Sequence, residues 1–182
     1  MDFIEAFKLI VAGFKQENID FAIIGGFALQ FSGITRATRD IDLLVLVQDR
    51  AKVRTILLAA GYKLIHESSD VLNFISDNTK LGRIDFLLAH RKYTLAMLQR
   101  AQEKEIFGGK FKVKVITAED QIGLKVQSSS NDPQRLSQDM ADIEALIRNN
   151  HPHLDLALLK EYFNLFDRSR ELEEILKRLE RC

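Results

Sequence analysis

Arg39-Asp40-Ile41-Asp42-Leu43-Leu44-Val45-Leu46-Val47 begins with two acids and ends in an unbroken apolar run. A strand with a polar start and a buried end reads this way. Side chains alternate along a strand, so Asp40 and Asp42 leave the same face while Ile41 turns into the core. Two like charges side by side repel, and a divalent cation between them relieves the repulsion. Magnesium suits such a place, because it takes oxygen from a few carboxylates and completes its octahedron with water and substrate phosphates. The plainer reading of an isolated Asp-x-Asp is a solvated strand end.

The flanking segments add to the pair. Upstream, Asp20-Phe21-Ala22-Ile23-Ile24 is a short apolar strand that stops at Gly25-Gly26, and Phe27 to Phe31 forms a short helix ending at Gly33. Glycines at such a turn let backbone N–H groups approach a phosphate closely. Downstream, Arg83-Ile84-Asp85-Phe86 opens a further strand and supplies a third acid. Taken singly, the glycines are a turn and Asp85 is a surface acid or the ion-pair partner of Arg83.

Outward from these segments the pattern alternates between helix and strand. Phe3, Phe7, Ile10 and Phe14 predict an amphipathic helix over residues 2–17. Asp49 is placed to cap a helix running to Ala60 and closed by Gly61. Residues 62–66, 71–76 and 83–88 are predicted strands, and 104–116 a hairpin turning at Gly108-Gly109. From Ala118 the spacing of Ile122, Val126, Leu136, Met140, Ile143 and Ile147 is helical, with Ser128-Ser129-Ser130-Asn131-Asp132-Pro133 read as a turn between two helices. Asn149-Asn150-His151-Pro152 ends the second, and two more amphipathic helices follow to Arg181. The fold class expected is α/β (α+β), a mixed sheet flanked by helices, with a core over residues 1–117 and a helical part over 118–182.

Composition narrows the function. A chain of 182 residues with 46% hydrophobic residues buries one substantial core and excludes two large domains. Its 26 basic and 26 acidic residues cancel, so the footprint of a dedicated nucleic-acid coat is missing. Lys110, Lys112 and Lys114 alternate along one predicted strand face, exposed or in reach of a phosphate backbone. No leader pattern opens the sequence and no apolar stretch is long enough for a membrane span. The one cysteine, Cys182, excludes a disulfide framework. A soluble, cytoplasmic protein is expected.

Together, Gly25-Gly26-Phe27-Ala28-Leu29, Arg36-Ala37-Thr38-Arg39-Asp40-Ile41-Asp42-Leu43 and Arg83-Ile84-Asp85-Phe86 resemble the nucleotidyltransferase superfamily. The Gly-Gly form with Arg-x-Thr-x-Asp-x-Asp looks closest to the AbiEii-like toxins of abortive-infection systems and is also similar to the lincosamide and aminoglycoside nucleotidyltransferases. The resemblance implies the nucleotidyltransferase fold, a nucleoside triphosphate (NTP) as substrate and two magnesium ions on Asp40, Asp42 and Asp85. It further implies Gly25, Gly26, Arg39 and Lys125 as nucleotide or phosphate ligands, and a possible second-helix site at Arg135, Asp139 and Asp142. On that helix an Arg135–Asp139 surface ion pair is the equal alternative. Two functions stay open: transfer of a nucleoside monophosphate to an acceptor hydroxyl with release of pyrophosphate, or a regulatory NTP-binding protein such as a toxin–antitoxin component. The acceptor is a tRNA, a small molecule or a protein, and a cognate antitoxin is the implied partner of a toxin. A purely structural module is the third reading.

Overall fold

The computed structural model describes residues 1–179; the expected end of the last helix at Arg181 and the cysteine, Cys182, lie outside the described residues. The chain divides into two compact units, one of residues 1–28 and 36–116 and the other of 29–35 and 117–182. The helical unit therefore takes in residues 29–35, a segment that the sequence reading assigns to the α/β core.

The first unit is built on a mixed sheet of seven strands in the order β3-β4-β5-β2-β1-β7-β6. In chain order these are β1 (Phe21–Ile24), β2 (Asp40–Leu46), β3 (Tyr62–Glu67), β4 (Val71–Ser76), β5 (Arg83–Ala89), β6 (Gln102–Ile106) and β7 (Phe111–Val115). β2 lies fourth of the seven, antiparallel to β1 and parallel to β5. One face of the sheet is apolar. Ile23, Ile41, Leu43, Val45, Phe74, Ile84 and Phe86 are buried there with Phe7, Ile10 and Phe14 of helix α1 (Phe3–Gln16) and Val53 and Leu57 of helix α3 (Arg50–Ala59). The alternation predicted for β2 explains this side: its odd positions supply the core, and its even positions, starting with the two acids, face the other way.

Several local expectations need correction. Asp49 stands before α3 but makes no capping hydrogen bond; it is buried, with Lys52 Nζ 3.9 Å from its carboxylate. Helix α4 (Lys92–Arg100), packed against β2 and β5, was not expected, because only Met97 and Leu98 bury and two positions make no period. Lys110 sits in the β6–β7 turn, while Lys112 and Lys114 lie directly opposite Glu105 and Glu103. Opposite charges so placed offset one another on that face. Lys114 also reaches Asp20 at 2.7 Å.

The second unit holds α5 (Ala118–Asn131), α6 (Leu136–Asn150), α7 (Leu156–Asn164) and α8 (Ser169–Leu179) around Leu29, Ile122, Val126, Ile143, Leu146, Ile147, Leu159, Phe163, Leu172 and Ile175. The serine run does not break α5 at residue 128. The hydroxyls of Ser129 and Ser130 donate back to the carbonyls of Lys125 and Val126, so these residues stay helical. The break comes at Asp132-Pro133, where Asp132 caps the next turn. Gly123 lies under Tyr162: a Cβ there would stand 2.8 Å from the ring. Tyr162 in turn donates its hydroxyl to buried Asp120 at 2.6 Å. Among the described residues no helix is long and apolar enough to cross a membrane.

Candidate functional site

β-register brings the acids together. Asp42 is paired with Asp85 across the β2–β5 ladder and with Ile24, the last residue of β1, on its other side. Asp40 lies two positions before Asp42 on the same face. One carboxylate oxygen from each of Asp40, Asp42 and Asp85 lies within 4.8 Å of the other two, and all three side chains are partly buried. Hard, anionic oxygens converging from two central strands fit a divalent cation, and magnesium or manganese takes such donors.

Each acid has its own support. Thr38 donates its hydroxyl to Asp40 Oδ1 at 2.7 Å. Arg83 donates Nε–H to Asp85 Oδ1 at 2.9 Å. That bond, aided by the charges of Asp85, Asp40 and Asp42 and opposed by burial, raises the guanidinium pKa. Asp42 abuts Gly25, the first residue of a four-residue helix, α2 (Gly25–Ala28). Gly25 has φ +64°, and a Cβ built on it would fall 2.1 Å from Asp42 Oδ2. Two constraints meet at that residue: a left-handed backbone and no room for a side chain. A Cβ on Gly26 would come 3.0 Å from Thr38 Oγ1. The glycine pair thus packs against the acidic motif, beside the acids where the sequence resemblance put it.

The other candidates have settings of their own. Arg39 is exposed, in the bend just before β2. Lys125, Arg135, Asp139 and Asp142 come together as a cluster of their own inside the helical unit. Lys125 Nζ lies 2.6 Å from Asp142 and 3.2 Å from Asp139, both buried, and Arg135 reaches Asp139 at 3.3 Å from a largely exposed position. Lys125 is therefore an internal ion-pair residue, neither solvated nor free. Arg135–Asp139 is more than the surface pair of the sequence reading, because its acid is only 1% exposed.

Three neighbours of the acids escaped the sequence reading as site residues. Thr38 was visible inside Arg-x-Thr-x-Asp-x-Asp but had no role. Arg83 was seen only as an ordinary salt-bridge partner. Asn73 of β4, opposite Asp85 and on its face, carries no signal without the register.

Comparison with known proteins agrees with this architecture. The antibiotic-resistance factor ANT(2'')-Ia in solution is similar at 16% identity, with a TM-score of 0.66 over 98% of this chain and 100% of its own. The same protein in complex with adenylyl-2''-tobramycin gives 17% and 0.66 over 92% and 98%. The lincosamide antibiotic adenylyltransferase LnuA, lincomycin-bound, gives 20% and 0.57 over 78% and 94%. At these identities the likeness establishes the nucleotidyltransferase fold. No curated protein sequence matches the chain. With the family model described as "Nucleotidyl transferase of unknown function (DUF2204)" matching residues 4–181, the chain belongs to that nucleotidyl transferase family.

Proposed function

We propose that the chain transfers a nucleoside monophosphate from NTP to an acceptor hydroxyl and releases pyrophosphate. The observation that carries this reading is the convergence of Asp40, Asp42 and Asp85 on one point of the sheet. Magnesium, two ions in the expected arrangement, would be held by these three residues and would supply charge stabilisation at the phosphoryl oxygens. The acceptor oxygen forms a bond to the α-phosphorus as the bond to pyrophosphate breaks, and the acceptor proton passes to a carboxylate oxygen of Asp85. Gly25 and Gly26 supply backbone N–H groups for phosphate, and Thr38 holds Asp40 in orientation. Lys125 is kept, from the resemblance, as the candidate cation for the leaving pyrophosphate, and substitution tests it.

A small hydroxyl-bearing acceptor is the preferred class. Two proteins of the same fold are associated with antibiotics in this way, one bound to adenylyl-2''-tobramycin and one a lincosamide adenylyltransferase. Glutamates opposite Lys112 and Lys114 on the same strand face, and the ion pair of Lys114 with Asp20, also weaken the sequence argument for a phosphate-backbone rail. The AbiEii-like reading, a toxin held by a cognate antitoxin, shares the three acids and differs in acceptor.

The test is incubation with labelled NTP, magnesium and a fractionated metabolite extract, following pyrophosphate release and a nucleotidyl mass increment on a small molecule. Asp42→Asn is the control. Magnesium-dependent NTP binding without pyrophosphate release under any acceptor would support the regulatory reading. A labelled tRNA or protein would replace the acceptor class.

A further inference from the structure

Arg83 is not needed to close the fold. It starts β5 on the exposed side, in register with Asp40 on one flank and Ile75 on the other, and a large apolar or β-branched residue would extend that strand equally well. What it does touch is one of the three acids, through a charge-assisted hydrogen bond of 2.9 Å to Asp85. Its side chain is 47% exposed while that of Asp85 is 18% exposed. The guanidinium can therefore swing into water, whereas the carboxylate it releases stays in the cluster.

Resting on the metal-site reading above, we propose that Arg83 is the resident counter-cation of the three carboxylates and competes with divalent metal for Asp85. In the metal-free protein the guanidinium offsets part of the mutual repulsion of Asp40, Asp42 and Asp85. A divalent cation drawing on Asp85 must displace it, so Arg83 sets the affinity for metal alone at a lower value than the three acids would reach by themselves. The consequence is selective occupancy. A site that holds free metal weakly fills only when the triphosphate arrives with its own oxygens, and the displaced guanidinium is then available to the anionic phosphates.

Arg83→Gln removes the competing charge and retains a polar side chain of similar reach. A unit charge about 5 Å from a doubly charged ion, at an effective dielectric constant of about 80, predicts Mn2+ affinity, without nucleotide, higher than that of the parent by roughly fifteenfold or more. Mn2+ alone is the probe, titrated by calorimetry or by its electron paramagnetic resonance signal. Arg83→Lys keeps the charge and should stay near the parent. In the parent itself, the Arg83 Nε–H resonance should shift and exchange faster with water at saturating Mg2+, a readout that needs no variant to fold. Equal or weaker Mn2+ binding in Arg83→Gln, or an Nε–H signal indifferent to Mg2+, overturns the proposal and leaves Arg83 as an orienting or bystander group. Absence of Mn2+ binding in the parent and both variants overturns the metal-site reading itself.

Discussion

Gly25→Ala should separate backbone strain from collision. A φ of +64° costs a residue with a Cβ about 1–2 kcal/mol. The new methyl would also meet Asp42 at 2.1 Å from Oδ2, 2.6 Å from Cγ and 2.8 Å from Cβ, so the aspartate must rotate or its strand must shift. Overpacking of this kind costs a further ~1–3 kcal/mol. In the Asp42→Gly background all three contacts vanish while the φ strain stays. Gly25→Ala should then cost only about 1–2 kcal/mol, giving a coupling of at least about 1 kcal/mol between the sites. Urea denaturation of the four proteins of the cycle measures it, and Mn2+ titration of Gly25→Ala should show weakened binding, because Asp42 has been moved. Equal costs in the two backgrounds would refute the contact between Gly25 and the acid, and with it the idea that the glycine turn is shaped by the site.

Asp42→Asn is nearly isosteric, so the thermal midpoint should move little while magnesium-dependent NTP affinity, measured by calorimetry, falls by roughly tenfold or more. Lys125→Ala leaves Asp139 and Asp142 buried without their ammonium and should cost about 3–5 kcal/mol in denaturant unfolding; if NTP affinity also falls while nucleoside affinity holds, the lysine serves the triphosphate as well. Tyr62 donates its hydroxyl to the Leu81 carbonyl, and burial pushes its pKa up to about 12. Unfolded tyrosine ionises near pH 10 and the folded group does not, so stability is complete below about pH 10 and declines up to about pH 12; Tyr62→Phe should flatten that alkaline decline in thermal unfolding.

The central strand was legible because its chemistry is written in period two: Asp40 and Asp42 outward, Ile41 and Leu43 inward. Turns governed by left-handed glycines were legible for the same local reason, at Gly61 and at Gly108-Gly109, all with positive φ. What escaped depends on distant neighbours. The resemblance implied that Asp85 shares a site with Asp40 and Asp42, but the strand order and register that set it beside Asp42, and Glu105 beside Lys112, are encoded by no spacing along the chain. Helix α4 buries too few residues to show a period. The serines of α5 read as a turn because Ser favours turns in isolation, whereas here their hydroxyls bond back to the helix carbonyls. Lys125 was legible as a lysine of interest, but its acids, 14 and 17 residues away, turn it from a free cation into a bridged one.

The seven residues Leu29–Thr35 leave the α/β unit after Ala28, join the helical unit, and the chain returns at Arg36. Leu29 is wholly buried in the helical core, and the amides of Asn149 and Asn150 donate to the carbonyls of Gly33 and Ser32. A single cut near residue 116 therefore yields no clean pair of modules. One piece would carry a stray apolar segment and the other would lack a core residue and two carbonyl partners. In evolutionary terms the helices cannot be traded for another C-terminal partner by one recombination at their junction: a viable exchange needs a second breakpoint inside the loop that precedes the acidic strand. A chimera that exchanges the helical part should therefore fold only when residues 29–35 are exchanged with it.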